Sequence, residues 1–315
     1  MPAYNVEQFI DAAIASVRAQ TFTNFELLIV DDGSTDGTAA VVERHARDDG
    51  RVRLLRQANA GISAARNFAL RHARGAFIAI LDADDGWAPS FLASQIAVLE
   101  QRPDIDIVTA NAWFRGGPHD GQPAAPTPDP RPDPDLTQLL EDETAVFIMS
   151  VFRRRVVDAL GGFDEAFRSN EDYDLWIRAA LAGFRFARND RPAGYYRRRD
   201  DSLSADELRM LAGILRVYDK TRPALSNRPE ALAILDRQVR RFETEEVAAR
   251  LRQALQTGDL AAVTRWATDL HQRRGGLRLL LARLAARWFP GLLTRAYQAW
   301  RGHGADLHGS AAVLH

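Results

Sequence analysis

Residues 25–38 read FELLIVDDGSTDGT, and this stretch decides the fold. Phe25–Val30 is a nearly continuous apolar run, which is typical of a strand whose sheet is covered on both faces. Asp31–Gly37 follows without a break and is rich in residues that favour turns and helix N-caps. The stretch predicts a buried strand with polar side chains at its carboxyl end, where open α/β sheets bind ligands. A simple turn followed by a capped helix is the alternative for the polar part.

The same pattern continues on both sides of this stretch. Apolar runs predict further strands at Val52–Leu55, Ala76–Leu81 and Ile105–Val108. Amphipathic segments predict helices at Val6–Gln20, Thr38–Arg47, Ser63–Arg74 and Ser90–Gln101, with Asn5 as the N-cap of the first helix. Strands and helices that alternate at this spacing imply right-handed crossovers onto a mainly parallel sheet. The predicted fold class is therefore α/β.

The first strand of such a sheet is expected to be missing. A parallel sheet of this kind opens with a strand that leads into the first turn, and here Pro2–Asn5 reads as that turn directly after Met1. We therefore expect a short apolar strand to precede Met1 in the natural protein. Without that strand, its neighbours in the sheet would expose unpaired edges.

Two domains are expected from the change of pattern along the chain. Residues 1–204 form the α/β domain, with residues 116–135 as a long surface loop inside it, because repeated Pro removes backbone hydrogen-bond donors. Residues 205–315 form a helical C-terminal region. Its predicted helices are Leu208–Tyr218, Pro229–Gln256, Leu260–Gln272 and Leu277–Phe289, with breaks at Gly258, Gly275-Gly276 and Pro290.

The composition excludes several classes of protein. The 315 residues include 41 basic and 42 acidic ones, so the charge does not favour a nucleic-acid partner; Lys220 is the only lysine. Cysteine is absent, which excludes disulfide scaffolds, thiolate metal sites and cysteine nucleophiles. No apolar run approaches the roughly 20 residues that span a bilayer, and no secretory signal is evident. We therefore expect a cytoplasmic protein.

A cluster of aspartates, Asp82-Ala83-Asp84-Asp85, follows the apolar run that ends at Leu81. Three carboxylates within four residues repel one another, and the sequence places no basic partner beside them. A cation among them would relieve this repulsion, and hard oxygen ligands suit Mg²⁺ or Mn²⁺. The cluster predicts a divalent metal site, with a solvated acidic turn as the alternative.

A third polar segment, Asn59–Asn67, lies between these two sites at a loop-to-helix junction. Ser63 is placed to cap the helix, and a helix N-terminus can face a phosphate group. Arg66 would add positive charge there. By itself, the segment is better explained as a plain capped helix.

In this order, and each at a strand end, these segments resemble the inverting family 2 glycosyltransferases of the GT-A fold, of the non-processive bacterial type. The resemblance extends from Met1 to about Ser204 and implies a GT-A domain followed by an α-helical appendage. It rests on Pro2–Asn5, Gln20–Phe22, Val30–Ser34, Asn59–Gly61, Ala65–Asn67 and Leu81–Asp85, and further along the chain on Gly161–Glu165 and Asn170–Trp176.

The resemblance implies a reaction and a role for each segment. The reaction would move a sugar from a nucleotide-diphosphate sugar, expected to be a UDP-sugar, to a hydroxyl of a saccharide or lipid-linked acceptor in surface polysaccharide synthesis. The cofactor would be Mn²⁺ or Mg²⁺. The donor would be bound by Pro2, Tyr4, Asp32, Gly61, Arg66 and Asp84, the metal by Asp82, Asp84 and Asp85, and catalysis would fall to Asp172, as the base, and Glu171.

Alternatives to a working glycosyltransferase remain open from the sequence. Acidic residues favour the first turn of a helix because of its dipole, which would account for Asp172 without catalysis. A nucleotidyltransferase would share the general layout of the fold, but Pro2–Asn5 offers no Gly-rich basic loop. A catalytically impaired sugar-nucleotide-binding or assembly subunit is the main alternative, because the first strand is expected to be missing.

Two departures from the family pattern refine the expectation. Many members carry a His in the segment that here is Tyr195–Ser204, and this chain has none near Arg199. Metal ligation by this segment is therefore not expected, although Arg side chains can bind diphosphate.

Processive members carry Gln or Arg three residues before an Arg-Trp pair, and the two nearest matches here have Ala262 and Leu284 at that position.

The last predicted helix, 277–289, is basic and amphipathic. Leu277, Leu280, Leu281, Leu284 and Trp288 fall on one face, and seven Arg but no acidic residue lie between Asp269 and Asp306. A helix of this kind can lie on an anionic membrane surface. Packing onto the rest of the protein or onto a partner is the alternative. The inner-membrane surface therefore joins the donor and the acceptor as an expected partner.

Overall fold

The computed structural model describes residues 1–127, 130–199 and 206–303, and contacts divide the chain into two compact units. The first unit contains Met1–Ser202 and Lys220–Ile234, and the second contains Leu203–Asp219 and Leu235–His315. The domain boundary expected at residue 204 lies outside the described residues. The return of Lys220–Ile234 to the first unit has no signal in the sequence.

A three-stranded parallel sheet begins the first unit, in the order β1-β2-β3. Its strands are β1 Pro2–Ala3, β2 Leu27–Asp31 and β3 Val52–Arg56, and its helices are α1 Glu7–Arg18, α2 Thr38–Asp48 and α3 Ile62–His72. All of β2 is buried, as its apolar sequence predicts. Pro2 and Ala3, expected to belong to the first turn, instead form β1 and pair with Val30 and Asp31. That an apolar strand precedes Met1 stays a prediction.

A five-stranded mixed sheet follows, in the order β4-β7-β6-β8-β5. Its strands are β4 Phe77–Ala79, β5 Gly86–Trp87, β6 Ile107–Arg115, β7 Ser150–Arg153 and β8 Phe186–Arg197, accompanied by α4 Phe91–Gln101, α5 Leu136–Glu141, α6 Arg154–Leu160 and α7 Glu171–Leu181. Only β6 and β8 run parallel, and the other three pairs are antiparallel. The prediction of a mainly parallel sheet therefore holds for the first sheet alone, because apolar runs do not reveal strand direction.

The polar turn after β2 is fastened to the start of α1. Asn5 is not the N-cap of α1: Val6 holds that position, and Asn5 adopts a φ of 51°. The side-chain oxygen of Asn5 instead accepts a hydrogen bond from the backbone N–H of Thr35 at 2.8 Å. The hydroxyl oxygens of Ser34 and Thr38 accept hydrogen bonds from the N–H groups of Asn5 and Val6, at 3.0 and 2.9 Å. These hydrogen bonds join the turn between β2 and α2 to the connection between β1 and α1.

The loop at residues 116–135 is described except for residues 128 and 129. In its described part there is no helix or strand beyond a single bridge between Trp113 and Pro123. Asp135 ends the loop, because its carboxylate accepts a hydrogen bond from the N–H of Gln138 at 2.9 Å and so caps α5.

Helices make up the rest of the described chain. They are α8 Glu207–Thr221, α9 Pro229–Thr257, α10 Leu260–Arg274, α11 Leu277–Trp288 and α12 Pro290–His303, with a short 3₁₀ turn at Arg222–Leu225. Pro290 breaks the helical pattern as expected, but α12, which the sequence did not predict, begins there, since Pro fits the first turn of a helix. Among the described helices, none is long and apolar enough to cross a membrane.

Gln20 links α1 to the start of α4. Its side chain is buried, and its amide nitrogen donates to the carbonyl oxygens of Ser16 and Ala88 at 3.0 and 2.7 Å. Its amide oxygen accepts a hydrogen bond from the N–H of Leu92, in the first turn of α4, at 2.9 Å. The amide therefore pairs the N–H of Leu92 and adds a second hydrogen bond to the carbonyl of Ala88, which also accepts from the N–H of Phe91.

Replacing Gln20 by Ala should strongly destabilise the protein. The change Gln20→Ala leaves the N–H of Leu92 and the carbonyl of Ala88 without these partners, and we expect the free energy of unfolding to fall by about 2–4 kcal/mol. Urea unfolding measures this loss. Thr21→Ala is the matched control, because Thr21 donates to the carbonyl of Pro89 at the surface, at 3.1 Å, and should cost less than about 1 kcal/mol. Equal losses in the two variants would contradict this role of Gln20.

Candidate functional site

Asp32 lies where the carboxyl end of β2 meets the start of α3. Its carboxylate accepts hydrogen bonds from the side-chain nitrogen of Gln57 at 2.8 Å and from the N–H groups of Ala60 and Gly61, both at 2.9 Å. Gly61 immediately precedes α3 with a φ of 93°, which is strained for any residue with a Cβ. Asp32 therefore fixes the backbone that leads into α3.

Pro2 and Tyr4 lie beside Asp32, at the end of β1. The N–H of Asp32 donates to the carbonyl oxygen of Ala3, the residue between them, at 2.8 Å. Half of the Tyr4 side chain is exposed, so its ring is accessible to a planar ligand. The structure thus brings Pro2, Tyr4, Asp32 and Gly61 together at one edge of the first sheet.

The aspartates of residues 82–85 lie between β4 and β5. Each receives a hydrogen bond from an arginine: Asp82 from the Nη2 of Arg66 at 2.6 Å, Asp84 from the Nη1 of Arg199 at 3.2 Å, and Asp85 from the backbone N–H of Arg197 at 2.8 Å. No basic residue adjoins this cluster in the sequence, as expected, and the arginines come from other elements. Arg66 belongs to α3, and the pairing of β8 with β5 brings Arg197 and Arg199 from more than a hundred residues away.

Burying these negative charges together costs free energy, because the carboxylates lose water and repel one another. Burial and the neighbouring carboxylate of Asp82 raise the pKa of Asp84, which Arg199 opposes. Burial raises the pKa of Asp85 well above its ordinary value, and Asp82 adds to that effect. A cation nearby would relieve this cost, and the donors are the hard oxygens that Mg²⁺ and Mn²⁺ prefer.

The aspartates of residues 82–85 could supply only some of the ligands of a divalent cation. Within residues 1–127, 130–199 and 206–303, no three His, Asp or Glu side chains are grouped so that they could hold an ion by themselves. Asp82, Asp84 and Asp85 thus do not form a complete site by themselves, and their role as metal ligands stays a prediction. A cation held here would complete its shell with oxygens of a ligand or of water, as Mg²⁺ commonly does.

Arg66 lies at the centre of the site and is 5% exposed. One guanidinium nitrogen donates to Asp82 at 2.6 Å, and another donates to Glu171 of α7. The guanidinium carbon lies 5.3 Å from the centre of the Phe163 ring. Burial acts to lower the pKa of Arg66, but Asp82, Glu171 and Asp172 raise it above its ordinary value. The guanidinium therefore stays charged and joins the acidic turn to α7.

Glu171 and Asp172 form the first turn of α7, directly after Asn170, which has a φ of 59°. Glu171 is buried against Arg66, whereas Asp172 is only partly buried and accepts a hydrogen bond from the N–H of Tyr173 at 2.9 Å. Burial and the adjacent carboxylate of Glu171 raise the pKa of Asp172 to about 7, against the opposing effect of Arg66. Asp172 can therefore take up and release a proton near neutral pH.

The loop before α7 is bound to α3. The amide of Asn67 donates to the carbonyl of Phe163 and accepts from its N–H, both at 2.8 Å. Gly162 must be a glycine here, because its φ is 84° and a Cβ would lie 2.5 Å from the amide oxygen of Asn67. Ser63, expected to cap α3, instead donates to the carbonyl of Phe167 at 2.7 Å. It does so because this loop, rather than solvent, covers the first turn of α3.

Lys220 fastens the same region from the end of α8, a role for which the sequence holds no signal. Its ammonium group donates to Asp164 at 2.7 Å and to the buried Asp174 of α7 at 2.6 Å. Arg178 donates to the other oxygen of Asp174 at 2.7 Å. The hydrogen bond from Lys220 lowers the pKa of Asp164. Lys220 therefore ties the loop and the first turns of α7 together.

A parallel sheet followed by a mixed sheet, with an acidic turn between two strands of the mixed sheet, is the arrangement of the GT-A fold, which glycosyltransferases adopt. The model of glycosyl transferase family 2 matches residues 1–161, about half of the chain. This protein therefore belongs to glycosyl transferase family 2.

Relatives in sequence share only part of their length with this chain. The uncharacterized glycosyltransferase EpsJ of Bacillus subtilis is 37% identical over 108 residues, which are 34% of this chain and 31% of EpsJ. The Escherichia coli UDP-Glc:alpha-D-GlcNAc-diphosphoundecaprenol beta-1,3-glucosyltransferase WfgD is 46% identical over 100 residues, 31% of this chain and 39% of WfgD. The chain thus spans less than half the length of these relatives.

Solved structures share the fold along most of the chain. S. aureus TarS 1-349 in complex with UDP-GlcNAc has a TM-score of 0.64 at 19% identity, covering 96% of this chain and 90% of that one. The mannosyltransferase PcManGT from Pyrobaculum calidifontis, in complex with GDP-Man and Mn²⁺, has a TM-score of 0.57 at 21% identity, covering 91% of this chain and 85% of that one. At these identities the likeness concerns the fold.

Removing the ammonium group of Lys220 should loosen the region around α7. Lys220→Ala leaves the buried Asp174 with a single cationic partner, so we expect the free energy of unfolding to fall by about 1–2 kcal/mol, allowing for the partial exposure of Lys220. Thermal unfolding checks this. Lys220→Arg, which keeps the charge and donors, should recover most of the loss. A melting temperature unchanged in Lys220→Ala would show that the two hydrogen bonds do not stabilise the fold.

Proposed function

We propose that this protein transfers a sugar, with inversion at the anomeric carbon, from a nucleotide-diphosphate sugar to a hydroxyl group of a saccharide or lipid-linked acceptor. The observation that carries the proposal is the pair of contacts made by Arg66, to Asp82 in the acidic turn and to Glu171 beside Asp172. With the donor diphosphate at the acidic turn and the acceptor hydroxyl at Asp172, the anomeric carbon of the donor sugar would lie between the two.

The nucleotide of the donor would bind at the edge of the first sheet. Tyr4 offers an exposed ring for a base, and Pro2, Asp32 and Gly61 shape the backbone around it. A uridine nucleotide is the donor that we favour. TarS was solved with UDP-GlcNAc, and the name of WfgD gives UDP-Glc as its donor, both of which support this choice.

Asp172 would act as the base. As the acceptor oxygen bonds to the anomeric carbon, the bond from that carbon to the diphosphate oxygen breaks, and the hydroxyl proton moves to the carboxylate of Asp172. Attack opposite to the leaving group inverts the anomeric carbon in one step. The pKa of about 7 supports this role, because the carboxylate is then basic enough to take a proton and still ionised in part at neutral pH.

Asp84 and Asp85, with Asp82 behind them, would hold a divalent cation together with the diphosphate. Such an ion neutralises the negative charge that the leaving group gathers. Arg199, now hydrogen-bonded to Asp84, is placed to pair with the diphosphate as well. The Mn²⁺ bound with GDP-Man in PcManGT supports a manganese or magnesium requirement.

The acceptor that we favour is a saccharide carried on a lipid. The name of WfgD gives an acceptor of this kind, and this supports a lipid-linked substrate here. Other relatives are named for teichuronic acid biosynthesis and as a chondroitin synthase, which supports a role in polysaccharide synthesis. Comparing UDP release from different UDP-sugars would identify the sugar that is transferred.

The change Asp172→Asn tests the base. It keeps the shape of the side chain but cannot accept the proton, so we expect transfer to fall by about 10²–10⁴-fold while the affinity for the donor stays the same. The assay measures UDP release from UDP-Glc and UDP-GlcNAc with Mn²⁺ and an added GlcNAc glycoside, and calorimetry measures donor binding.

The matched control is Asp158→Asn, which removes an exposed carboxylate of α6 and should leave the rate unchanged. An active Asp172→Asn variant would exclude Asp172 as the base. If the natural sequence binds UDP-sugars but releases no UDP with any acceptor, the catalytically impaired binding subunit becomes the better description.

The pH profile of transfer should follow the raised pKa of Asp172. When the pH lies below the pKa of about 7, the carboxyl of Asp172 is mostly protonated and cannot accept the proton of the hydroxyl. We therefore expect kcat/KM to rise roughly tenfold per pH unit up to about pH 7 and then to level off. An ordinary carboxyl would titrate near pH 4, so a profile that is flat between about pH 5 and 8 would contradict the assignment.

A further inference from the structure

An apolar surface of the second unit lies exposed on α11 and α12. The described residues include eight large hydrophobic side chains that are exposed, and five of these belong to this pair of helices or to the residue between them. These five form the apolar patch: Leu281, Leu284, Trp288, Phe289 and Leu292. Trp288 and Leu292 are 68% and 69% exposed, which is unusual for such side chains in a folded protein.

The patch is separate from the side of these helices that packs into the unit. The inward side chains are Leu279, Ala286, Leu293 and Tyr297, which pack with residues of α9 and α10. At 3.6 residues per turn, the patch residues of α11 lie roughly 140–200° around the helix axis from Leu279. The apolar patch therefore points away from the core that the unit already has.

Exposed arginines lie beside the patch residues on both helices. From residue 270 to residue 305 the sequence contains seven Arg and no Asp or Glu. Arg287 and Arg295 are exposed, and the guanidinium of Arg287 lies 5.9 Å from the centre of the Trp288 ring. Apolar side chains flanked by arginines, with a tryptophan at the border, match the boundary between acyl chains and phosphate headgroups.

We propose that α11 and α12 dock this protein on a membrane surface that carries anionic phospholipid. The patch inserts among the upper acyl chains, and the flanking arginines pair with lipid phosphates. The helices lie in the plane of the interface, and neither of them crosses the bilayer. This surface is distinct from the residues that would bind a nucleotide sugar, so the proposal goes beyond the transferase function and does not depend on it.

The test is sedimentation of the full chain with vesicles of phosphatidylcholine, with or without phosphatidylglycerol. We expect binding to the vesicles that contain phosphatidylglycerol, and weaker binding as salt is added, because salt screens the arginines. Changing Trp288→Ser together with Leu292→Ser should weaken binding by at least about tenfold per side chain. Changing Arg287→Gln together with Arg295→Gln should weaken binding to the anionic vesicles by roughly fivefold per arginine.

The matched control is Leu260→Ser, which removes a 43% exposed leucine of the same unit outside the patch and should bind like the natural sequence. All variants should melt at an unchanged temperature, because the altered side chains are exposed. The UDP release of the patch variants should also stay unchanged, so failure of this proposal and failure of the proposed transferase function are told apart.

Three results would overturn the proposal. In the first, the full chain stays in solution with anionic vesicles, or binds equally with and without phosphatidylglycerol. In the second, the patch variants bind as tightly as the Leu260→Ser control. In the third, light scattering finds a dimer that the Trp288 and Leu292 changes convert to a monomer, which would show that a second copy of the chain covers the patch instead.

Discussion

The contacts of Arg66 with Asp82 and Glu171 are the interaction on which the site depends. A buried guanidinium is costly unless it is paired, and breaking such a pair typically costs about 3–5 kcal/mol. Two carboxylates from distant parts of the chain therefore have to meet it. Their meeting fixes the acidic turn, α3 and the start of α7 relative to one another. The first turn of α7 also carries Asp172, whose pKa is raised by burial and by the adjacent carboxylate of Glu171.

The polar residues of the site serve the fold as well as the proposed chemistry. Asp32 fixes the entry to α3, and Ser34 and Thr38 hold the start of α1. The sequence leaves open whether the turn after β2 is a structural turn or a ligand site. In the structure, the same residues can serve as both. Each hydrogen bond that orders the backbone at a strand end also positions the side chains that a ligand would meet.

Much of the fold and the position of most site residues could be predicted from the sequence. The four predicted helices of the first half recur with ends shifted by at most two residues, since these depend on local periodicity. The predicted strands recur as well, but β6 ends at Arg115, seven residues beyond the predicted Val108. Family membership, inferred from the motifs, is confirmed by the match over residues 1–161. The roles of Asp172 and of the three aspartates stay predictions, and the partners of those aspartates were missed because Arg197 and Arg199 reach them only through the pairing of β8 with β5.

The sequence by itself determined the positions of β2–β4 and α1–α4, the start of β6, the helices α8–α11 and the chemical groups at their ends, because period and composition act over a few neighbouring residues. Only the tertiary structure decided that the second sheet is mixed, that Lys220 holds Asp164 and Asp174, and that the apolar face of α11 is left exposed. These features depend on contacts between residues far apart in the chain. No local pattern encodes such contacts, because the free energy of pairing depends on which distant surface each segment meets.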